Sequence, residues 1–551
     1  MAGGGRSAGG FLDPRLTDLH DPSLLPGVEA AAERLLAALA GGERIAIYGD
    51  YDVDGVTATA ILFHTLRALR PGCDVIAYVP HRLEEGYGLN EAALAELAGA
   101  GARVIVSVDC GIGAVGPALR ARHLGLDLII TDHHELPPGG VLPEALALVH
   151  PRLPGSAYPF GDLCGAGVAY KLAWRLCTMH SGSSRVTPSL RTLLVELLAL
   201  ASLGVIADVV PLIGENRVIA RHGLARIQRS PLPGLRALVR AAGLAEQTVE
   251  AVDVGFKLAP RLNACGRLGH ARDAVELFTT AEGERAEEIA ADLCRLNRDR
   301  QGVERGILGQ AREAAERAGM TGPDRRAIVC ADARWHAGVV GIVCARLVEA
   351  YCRPVILLQK RDGLCHGSGR SVAGFDLARA LADCSGLLEK HGGHAMAAGL
   401  QLRECKLDEF VEAFTARANE SLRPEDLCPS VLIDCRADLA ELTPAELGRL
   451  SGLAPHGRGN PEVRLLVGGL TLGEAPRPLG AAARHLDLRV RAGEGAAARW
   501  LRLVAWHWGP RRESLRAGMR LDAVVEPKLS TFGGRTRVEG ELRDLMVTAA
   551  P

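Results

Sequence analysis

The chain has 551 residues, 48% of them hydrophobic and 23% charged, and a formal net charge of −1. One core cannot absorb that length, so about three domains are expected, and a nucleic-acid partner would have to be met by a local basic surface. The fourteen cysteines include no C-x-x-C pair, which argues against a structural zinc site and for reduced, mostly buried thiols in a cytoplasmic protein.

Residues 1–43 read as an N-terminal segment, Gly-rich and disordered at its start. MAGGGRSAGG lacks the charged and apolar regions of a signal peptide. VEAAAERLLAALAGG (28–42) is a helix ended by glycines. Over 44–280, short Val/Ile/Leu runs (ERIAIYGD, DVIAYVP, ARVIVSVD, LDLIITD, ALALVHP) are interspersed with helical stretches such as ATAILFHTLRALR and GPALRARHLG. That alternation predicts an α/β domain with a mostly parallel sheet. LRTLLVELLALASLGVIADVV (190–210) is an apolar helix that runs out at Asp208. Residues 281–320 are charged and proline-free, which predicts a connecting helix of ~55 Å. A second α/β unit occupies 321–425, from RRAIVCADA through RPVILLQK to HGSGRS and HGGHAMAAG. Over 426–551 the alternating strands VRLLVGGLTL, HLDLRVRA, RWLRLVAWHWG, LDAVVEPKL and RTRVEGELRDL predict a small OB-type β-barrel. No apolar stretch reaches membrane-spanning length without a charge or turn signal, so no membrane is expected.

The acids fall at strand ends. GDYDVDG (49–55) carries Asp50, Asp52 and Asp54; Asp109 closes ARVIVSVD; Asp132, His133 and His134 follow LDLIIT. In a parallel sheet the carboxyl ends of the strands share one edge, so these residues converge, and Asp208 can join them. None of these motifs contains a lysine or arginine. Such a cluster raises its own pKa values and destabilises the fold unless cations enter it. Carboxylates with an imidazole suit Mn²⁺ or Mg²⁺, and there are ligands for two ions, the arrangement that clamps attacking and leaving oxygens in phosphoryl hydrolysis. A lone D-x-D is usually a solvated turn; three acidic strand ends, one with a His pair, are not. GIGAVG (111–116) matches a dinucleotide fingerprint, but Asp109 would repel a pyrophosphate there. Its glycines fit a sharp turn beside the metals.

GDYDVDG, VDCGI, TDHH and IADVVPL match, in order, the motifs of the DHH phosphoesterase superfamily, and GSGRS with GGHAMAAG resembles its DHHA1 companion domain. WHAGVVGIVCARL, PRLNACGRLG and LAPHGRGNPE resemble the RecJ-type exonucleases in particular. The resemblance implies metal ligands at Asp52, Asp54, Asp109, His133 and Asp208, bridged by Asp54 and Asp109. Asp50 and Asp132 support them, and His134 faces the scissile phosphate. It places Arg82 and Arg267 on phosphate, Arg267 gripping the 5′ end from a Gly-flanked loop. Ser368, Arg370 and Ser371 meet the DNA backbone from a glycine-lined loop, and His394 touches substrate. Where small-substrate relatives have a ligand His, this chain has Tyr48, implying a looser first metal. Trp500, Trp506 and Trp508 fit either base stacking or the barrel core, since W-H-W on a strand puts both flanking rings on one face.

The implied function is metal-dependent 5′→3′ degradation of single-stranded DNA with a 5′ phosphate to mononucleotides, in repair and recombination, alongside a helicase and a single-strand-binding protein. Two alternatives are a DHH phosphodiesterase for oligonucleotides or cyclic dinucleotides, and a non-catalytic replication scaffold. The first is typically shorter, without the long helix and barrel. The second tends to lose motif acids, and here all are present.

Overall fold

Runs of β-branched residues cut by helices give, in this computed structural model, a parallel five-stranded sheet built from β1 (Arg44–Gly49), β2 (Val75–Tyr78), β3 (Ala102–Val108), β4 (Asp127–Thr131) and β5 (Ala147–Val149). The structure describes residues 8–550 except Leu83, Pro138, Ser184, Ala481, Ala496, Ala497, Gly533 and Gly534. The disorder expected at the extreme N-terminus concerns residues outside this set up to position 7, and Ala8–Leu12 is helical. The chain divides into two compact units, one of residues 20–208 and 222–429, the other of residues 8–19, 209–221 and 430–550.

In the larger unit the strand order is β2-β1-β3-β4-β5. Register matters more than order. Val108 pairs with Thr131 and Thr131 with Val149, so the residues that follow each strand emerge level along one edge. Two helices pack on the sheet, Val53–Leu69 and Gly165–His180, and a third, Pro188–Ala207, packs against both of them. The last is long and apolar enough to cross a membrane, with a mean hydropathy of 1.9, but 61% of that window is buried inside the fold. It can approach its neighbours because Gly204 has no side chain: a Cβ there would lie 2.5 Å from Ala166 Cβ and 2.8 Å from Thr57 Oγ1.

The connecting helix runs Gly283–Arg317, 35 residues, or about 52 Å at the usual rise. It leads to a mixed sheet of β6 (Ile328–Asp332), β7 (Val355–Arg361), β8 (Leu364–Arg370), β9 (Lys390–His394) and β10 (Ala397–Arg403), ordered β6-β7-β8-β10-β9. Only β6 and β7 run parallel; β7-β8, β8-β10 and β10-β9 are antiparallel. HGSGR is therefore a strand and not the loop expected. Gly367 and Gly369 face β7, where a Cβ at Gly367 would lie 2.0 Å from the Leu357 carbonyl oxygen. Alternation then turns Ser368 and Arg370 to the opposite face.

In the smaller unit β11 (Cys435–Ala437), β12 (Leu465–Leu472), β13 (Arg477–Leu479), β14 (His485–Ala492), β15 (Arg499–Ala505), β16 (Arg520–Phe532) and β17 (Arg535–Ala549) form one sheet ordered β11-β12-β16-β17-β15-β14-β13. Pairing of β12 with β14 closes it into a barrel, and the parallel β15–β17 contact matches the OB connectivity. Leu486, Leu488 and Val490 of β14 and Leu501, Leu503 and Ala505 of β15 fill the interior. The strand expected through WHW stops at Ala505; Trp506 and His507 form a turn, with His507 at φ 65°. The two rings do not share a strand face. Trp508 packs against the barrel core, and Trp506 is exposed.

All fourteen cysteines are free, ten of them buried. The close helix crossing gives a first expectation. Gly204→Ala should destabilise the larger unit by about 1–3 kcal/mol through overpacking, read as a lower urea midpoint of its unfolding transition. An unchanged midpoint would mean that the crossing has slack the geometry does not show.

Candidate metal centre and phosphate site

Asp52 opens the helix Val53–Leu69 as its N-cap, accepting from Asp54 N at 2.9 Å and Gly55 N at 3.1 Å. The glycine that ends GDYDVDG is required by contact: a Cβ on Gly55 would lie 2.5 Å from the Asp50 carbonyl oxygen. The chain thus folds back on itself, and Asp50 and Asp54 become almost wholly buried. Asp109 stands directly after β3 in the left-handed region, φ 63°, a strained conformation for a non-glycine residue. Gly165 lies against it so closely that a Cβ would come within 2.6 Å of Asp109 Oδ1.

The carboxylates are compensated unequally. Asp132 accepts from Ile112 N at 2.9 Å, His133 N at 2.7 Å and His134 Nδ1 at 2.7 Å. Burial alone would raise its pKa; the bonds and the His134 charge win and hold it at about 2. For His134 burial disfavours the charged form, yet the hydrogen bond to Asp132 outweighs it and lifts the imidazole to about 9. These two form an ion pair. The donor at Ile112 is the use GIGAVG serves, a turn with Gly111 at φ 114°.

Asp54 sits at the N-terminus of the helix Gly165–His180. Gly165 N and Ala166 N donate to its two oxygens at 2.5 and 2.9 Å, helped by the helix dipole. Burial still pushes it up to about 6, with the Asp52 charge adding to that and the Cys164 thiol opposing it. Asp109 and Asp50 have less help. Burial comes first and neighbouring carboxylates second in raising both well above the usual range.

His133 Nε2 lies 3.1 Å from Asp109 Oδ1, 3.7 Å from Asp208 Oδ2 and 3.8 Å from Asp54 Oδ2. Burial, then the His134 charge, depress its pKa to about 3, so a neutral imidazole faces three carboxylates. His133 Nε2, Asp109 Oδ1 and Asp50 Oδ1 are all buried without a hydrogen-bond partner. Three sets of ligand atoms lie within 4.8 Å of one another: Asp50, Asp52 and Asp109; Asp54, His133 and Asp208; and Asp109, His133 and His134. Orphaned buried acceptors with converging oxygen and imidazole donors fit hard divalent cations, and Asp109 and His133 each belong to two of the sets. Asp208 joins from the C-cap of its helix. Tyr48 is turned away: its hydroxyl donates to the Gly88 carbonyl at 2.9 Å.

A cationic group adjoins this centre. The Arg82 guanidinium lies 4.7 Å over the Tyr51 ring, so the residue between Asp50 and Asp52 carries an arginine on its face. Arg267 is in the last turn of the helix Ala259–Leu268 and not in a loop, with Nη1 donating to the Gly338 carbonyl at 2.8 Å. Burial and the charges of Arg82, Arg300 and Arg370 depress its pKa to about 10, with Asp52 opposing. Ser368 and Arg370 meet at Gly341, where a Cβ would lie 3.4 Å from both side chains. Ser371 departs from expectation. It is buried, and its hydroxyl donates to the Phe375 carbonyl at 2.7 Å, so it shapes the turn after β8 and presents nothing to a ligand. His394 lies on the exposed strand β9, its Nδ1 3.2 Å from Glu135 Oε2.

Sequence reasoning missed Gly165, Gly204 and Cys164, which let Asp54 and Asp109 approach their neighbours. It also missed Tyr87, whose hydroxyl is 3.1 Å from His134 Nδ1.

Comparison with known proteins agrees with this geometry. Family models match the chain as the N-terminal domain of the DHH family at residues 44–202, the DHHA1 domain at 324–420 and the RecJ OB domain at 433–544. The single-stranded-DNA-specific exonuclease RecJ of Dickeya dadantii is 39% identical over 466 residues, 82% of this chain and 79% of that protein. The Bacillus subtilis RecJ is 38% identical over 98% of this chain, which spans 66% of that longer protein. The structure of Thermus thermophilus RecJ with Mn²⁺ superposes with a TM-score of 0.81 at 34% identity, covering 98% of this chain and 74% of that one; the same protein has also been solved with Mg²⁺. With relatives this similar over most of its length, and the three domains in order along it, the chain belongs to the RecJ family of single-stranded-DNA-specific exonucleases.

Proposed function

We propose that this protein is a metal-dependent 5′→3′ exonuclease that degrades single-stranded DNA to mononucleotides, a cytoplasmic enzyme of repair and recombination. The observation that carries the reading is the juxtaposition of two fields of opposite sign: a buried carboxylate–imidazole centre with orphaned ligand atoms, and beside it an arginine group whose members depress one another's affinity for protons.

Asp50, Asp52, Asp54, Asp109, His133 and Asp208 would hold Mn²⁺ or Mg²⁺, and cations there would supply the charge that activates water and stabilises the transition state. The rest is done by the chain. Asp132 keeps His134 protonated and oriented, so its imidazolium donates to a non-bridging oxygen of the scissile phosphate as charge develops. Arg82, Arg267 and Arg370, with Ser368, take up a terminal phosphate, whose negative charge relieves their mutual repulsion. A terminal-phosphate site adjoining the hydrolytic centre makes cleavage stepwise from one end. His394 pairs with Glu135, the residue after His134, and so bounds the substrate path from the DHHA1 side.

The barrel is the single-strand-binding element. On the outer face of β14 and β15, Arg491 pairs with Trp500 and Arg489 with Arg502. The Trp500 ring, exposed, lies against Gly473, where a Cβ would sit 2.3 Å away. An aromatic ring among arginines suits sequence-tolerant stacking and phosphate contact. A helicase and a single-strand-binding protein are the partner classes that would feed and shield such a substrate.

The direct test is a gel time course in Mn²⁺ with 5′-phosphorylated, 3′-labelled oligonucleotides. Single-stranded DNA should shorten from its 5′ end while duplex and RNA stay intact, and chelation by EDTA should stop the reaction; cleavage of dinucleotides alone would overturn the reading. Asp109→Ala should lower kcat by roughly 10²–10⁴-fold, several kcal/mol of transition-state stabilisation, with single-strand affinity retained in a filter-binding assay. Arg267→Met should raise KM for 5′-phosphorylated strands by about 10- to 100-fold, the worth of one or two charge-assisted bonds. It should leave 5′-hydroxyl strands nearly unaffected; equal losses on both would move the phosphate site elsewhere.

A further inference from the structure

The segment after β5, Val149-His150-Pro151-Arg152, makes three bonds to the backbone of the DHH motif. Asp132 N donates to the Val149 carbonyl at 3.1 Å. His150 Nε2 lies 2.8 Å from the His134 carbonyl oxygen, and Arg152 Nη2 donates to the His133 carbonyl. A carbonyl can only accept, so His150 Nε2 carries the hydrogen. The Arg152 N–H donates to His150 Nδ1 at 3.0 Å, so that atom carries the lone pair. Both ring nitrogens are thus assigned, and His150 is completely buried. Arg152 is fixed along its stem as well: it crosses Gly161, where a Cβ would lie 3.1 Å from its Cγ.

Asp132, His133 and His134 need this because they leave the sheet at the end of β4 with no further strand pairing. The Asp132 carboxylate braces the amides of the motif, accepting from His133 N at 2.7 Å and His134 N at 3.2 Å, but an acceptor cannot hold a carbonyl, so the His133 and His134 carbonyls depend on donors from outside the motif. A backbone carbonyl free to rotate swings the attached imidazole, and displacements of about 1 Å at a reacting centre cost on the order of 10²-fold in rate.

Resting on the exonuclease reading above, we propose that His150 and Arg152 are positioning residues for the reaction: they lock the His134 and His133 carbonyls, and so aim the phosphate-facing His134 ring and the ligand ring of His133. Neither touches substrate or metal. They act as the outer partners that orient metal ligands do, whose loss lowers metal affinity or activity by about 10- to 100-fold.

The test compares His150→Phe, which keeps the ring and removes both nitrogens, with His150→Gln, whose amide can still donate to the His134 carbonyl; Arg152→Met and Arg152→Lys form the parallel pair. Free Mn²⁺ is measured by electron paramagnetic resonance during titration of each protein, and kcat and KM by the gel assay on 5′-phosphorylated single strands. His150→Phe and Arg152→Met should lower kcat about 10- to 100-fold with KM within about threefold, and weaken Mn²⁺ binding about tenfold. His150→Gln and Arg152→Lys should recover most of both. The proposal is overturned if the apolar variants keep wild-type kcat and Mn²⁺ affinity. It is equally overturned if their losses track only the fraction of protein unfolded, measured by circular dichroism without metal. If wild-type protein leaves single strands intact the exonuclease reading fails by itself, and the Mn²⁺ titration still decides whether the two side chains aim the ligands.

Discussion

Like-charge repulsion is the constraint around which the larger unit is organised. Asp50, Asp54, Asp109 and Asp132 are each almost entirely buried within one small region, where an uncompensated carboxylate costs several kcal/mol. The fold answers each differently. Asp132 has a protonated histidine and backbone donors, and Asp54 has the first turn of a helix. Asp109 and Asp50 each keep an orphaned oxygen, that of Asp109 3.1 Å from His133 Nε2. Asp132 is settled by the chain alone; Asp54 is settled only in part, still pushed up to about 6, and with Asp109 and Asp50 it stays available to cations. That division separates what the protein neutralises from what it holds in reserve for chemistry.

The backbone bears the consequences. Asp109 keeps a left-handed conformation, and Gly55, Gly165 and Gly204 are positions where a methyl group would collide with an acid or its main chain. These glycines are scattered over 150 residues and belong to three helices, yet they serve one centre. Stability is given up locally for access to the ligands, which is the usual condition of an active site.

Much of this could be read from the residues. Acids placed after successive β-runs have to converge in a parallel sheet, so Asp50 to Asp54, Asp109 and Asp132 to His134 were legible from topology alone, and the barrel from period-two alternation. What escaped was what depends on a partner distant in sequence. A glycine in GAGVAY looks like any other until Asp109 is seen against it. HGSGR reads as a loop by composition, because glycine is poor in strands; here the glycines let β7 approach while serine and arginine take the other face. Ser371, two residues on from Gly369, shares the motif but not the exposure. W-H-W fitted a strand by spacing and is broken by a left-handed His507, which spacing does not reveal. Arg267 was placed in a loop by its flanking glycines, but the helix absorbs Gly266 and ends only before Gly269, its C-cap.

A net charge of −1 is uninformative about a nucleic-acid partner because the charge is segregated and not absent. Tyr51 shows how tightly. It lies between two acids of the metal centre, and its ring holds the Arg82 guanidinium, so one heptapeptide builds the negative site and anchors an edge of the positive one. On the exonuclease reading proposed above, a terminal phosphate would meet both fields at once, its standing charge at the arginines and its developing charge at the cation site. The remaining parts of both come from elsewhere, Asp109, His133 and Asp208 for the negative site and Arg267 and Arg370 for the positive one, so the heptapeptide is the seam at which the two fields meet. Opposite charges that close hold each other in place: the acids keep the arginines oriented, and the arginines lower the cost of burying the acids.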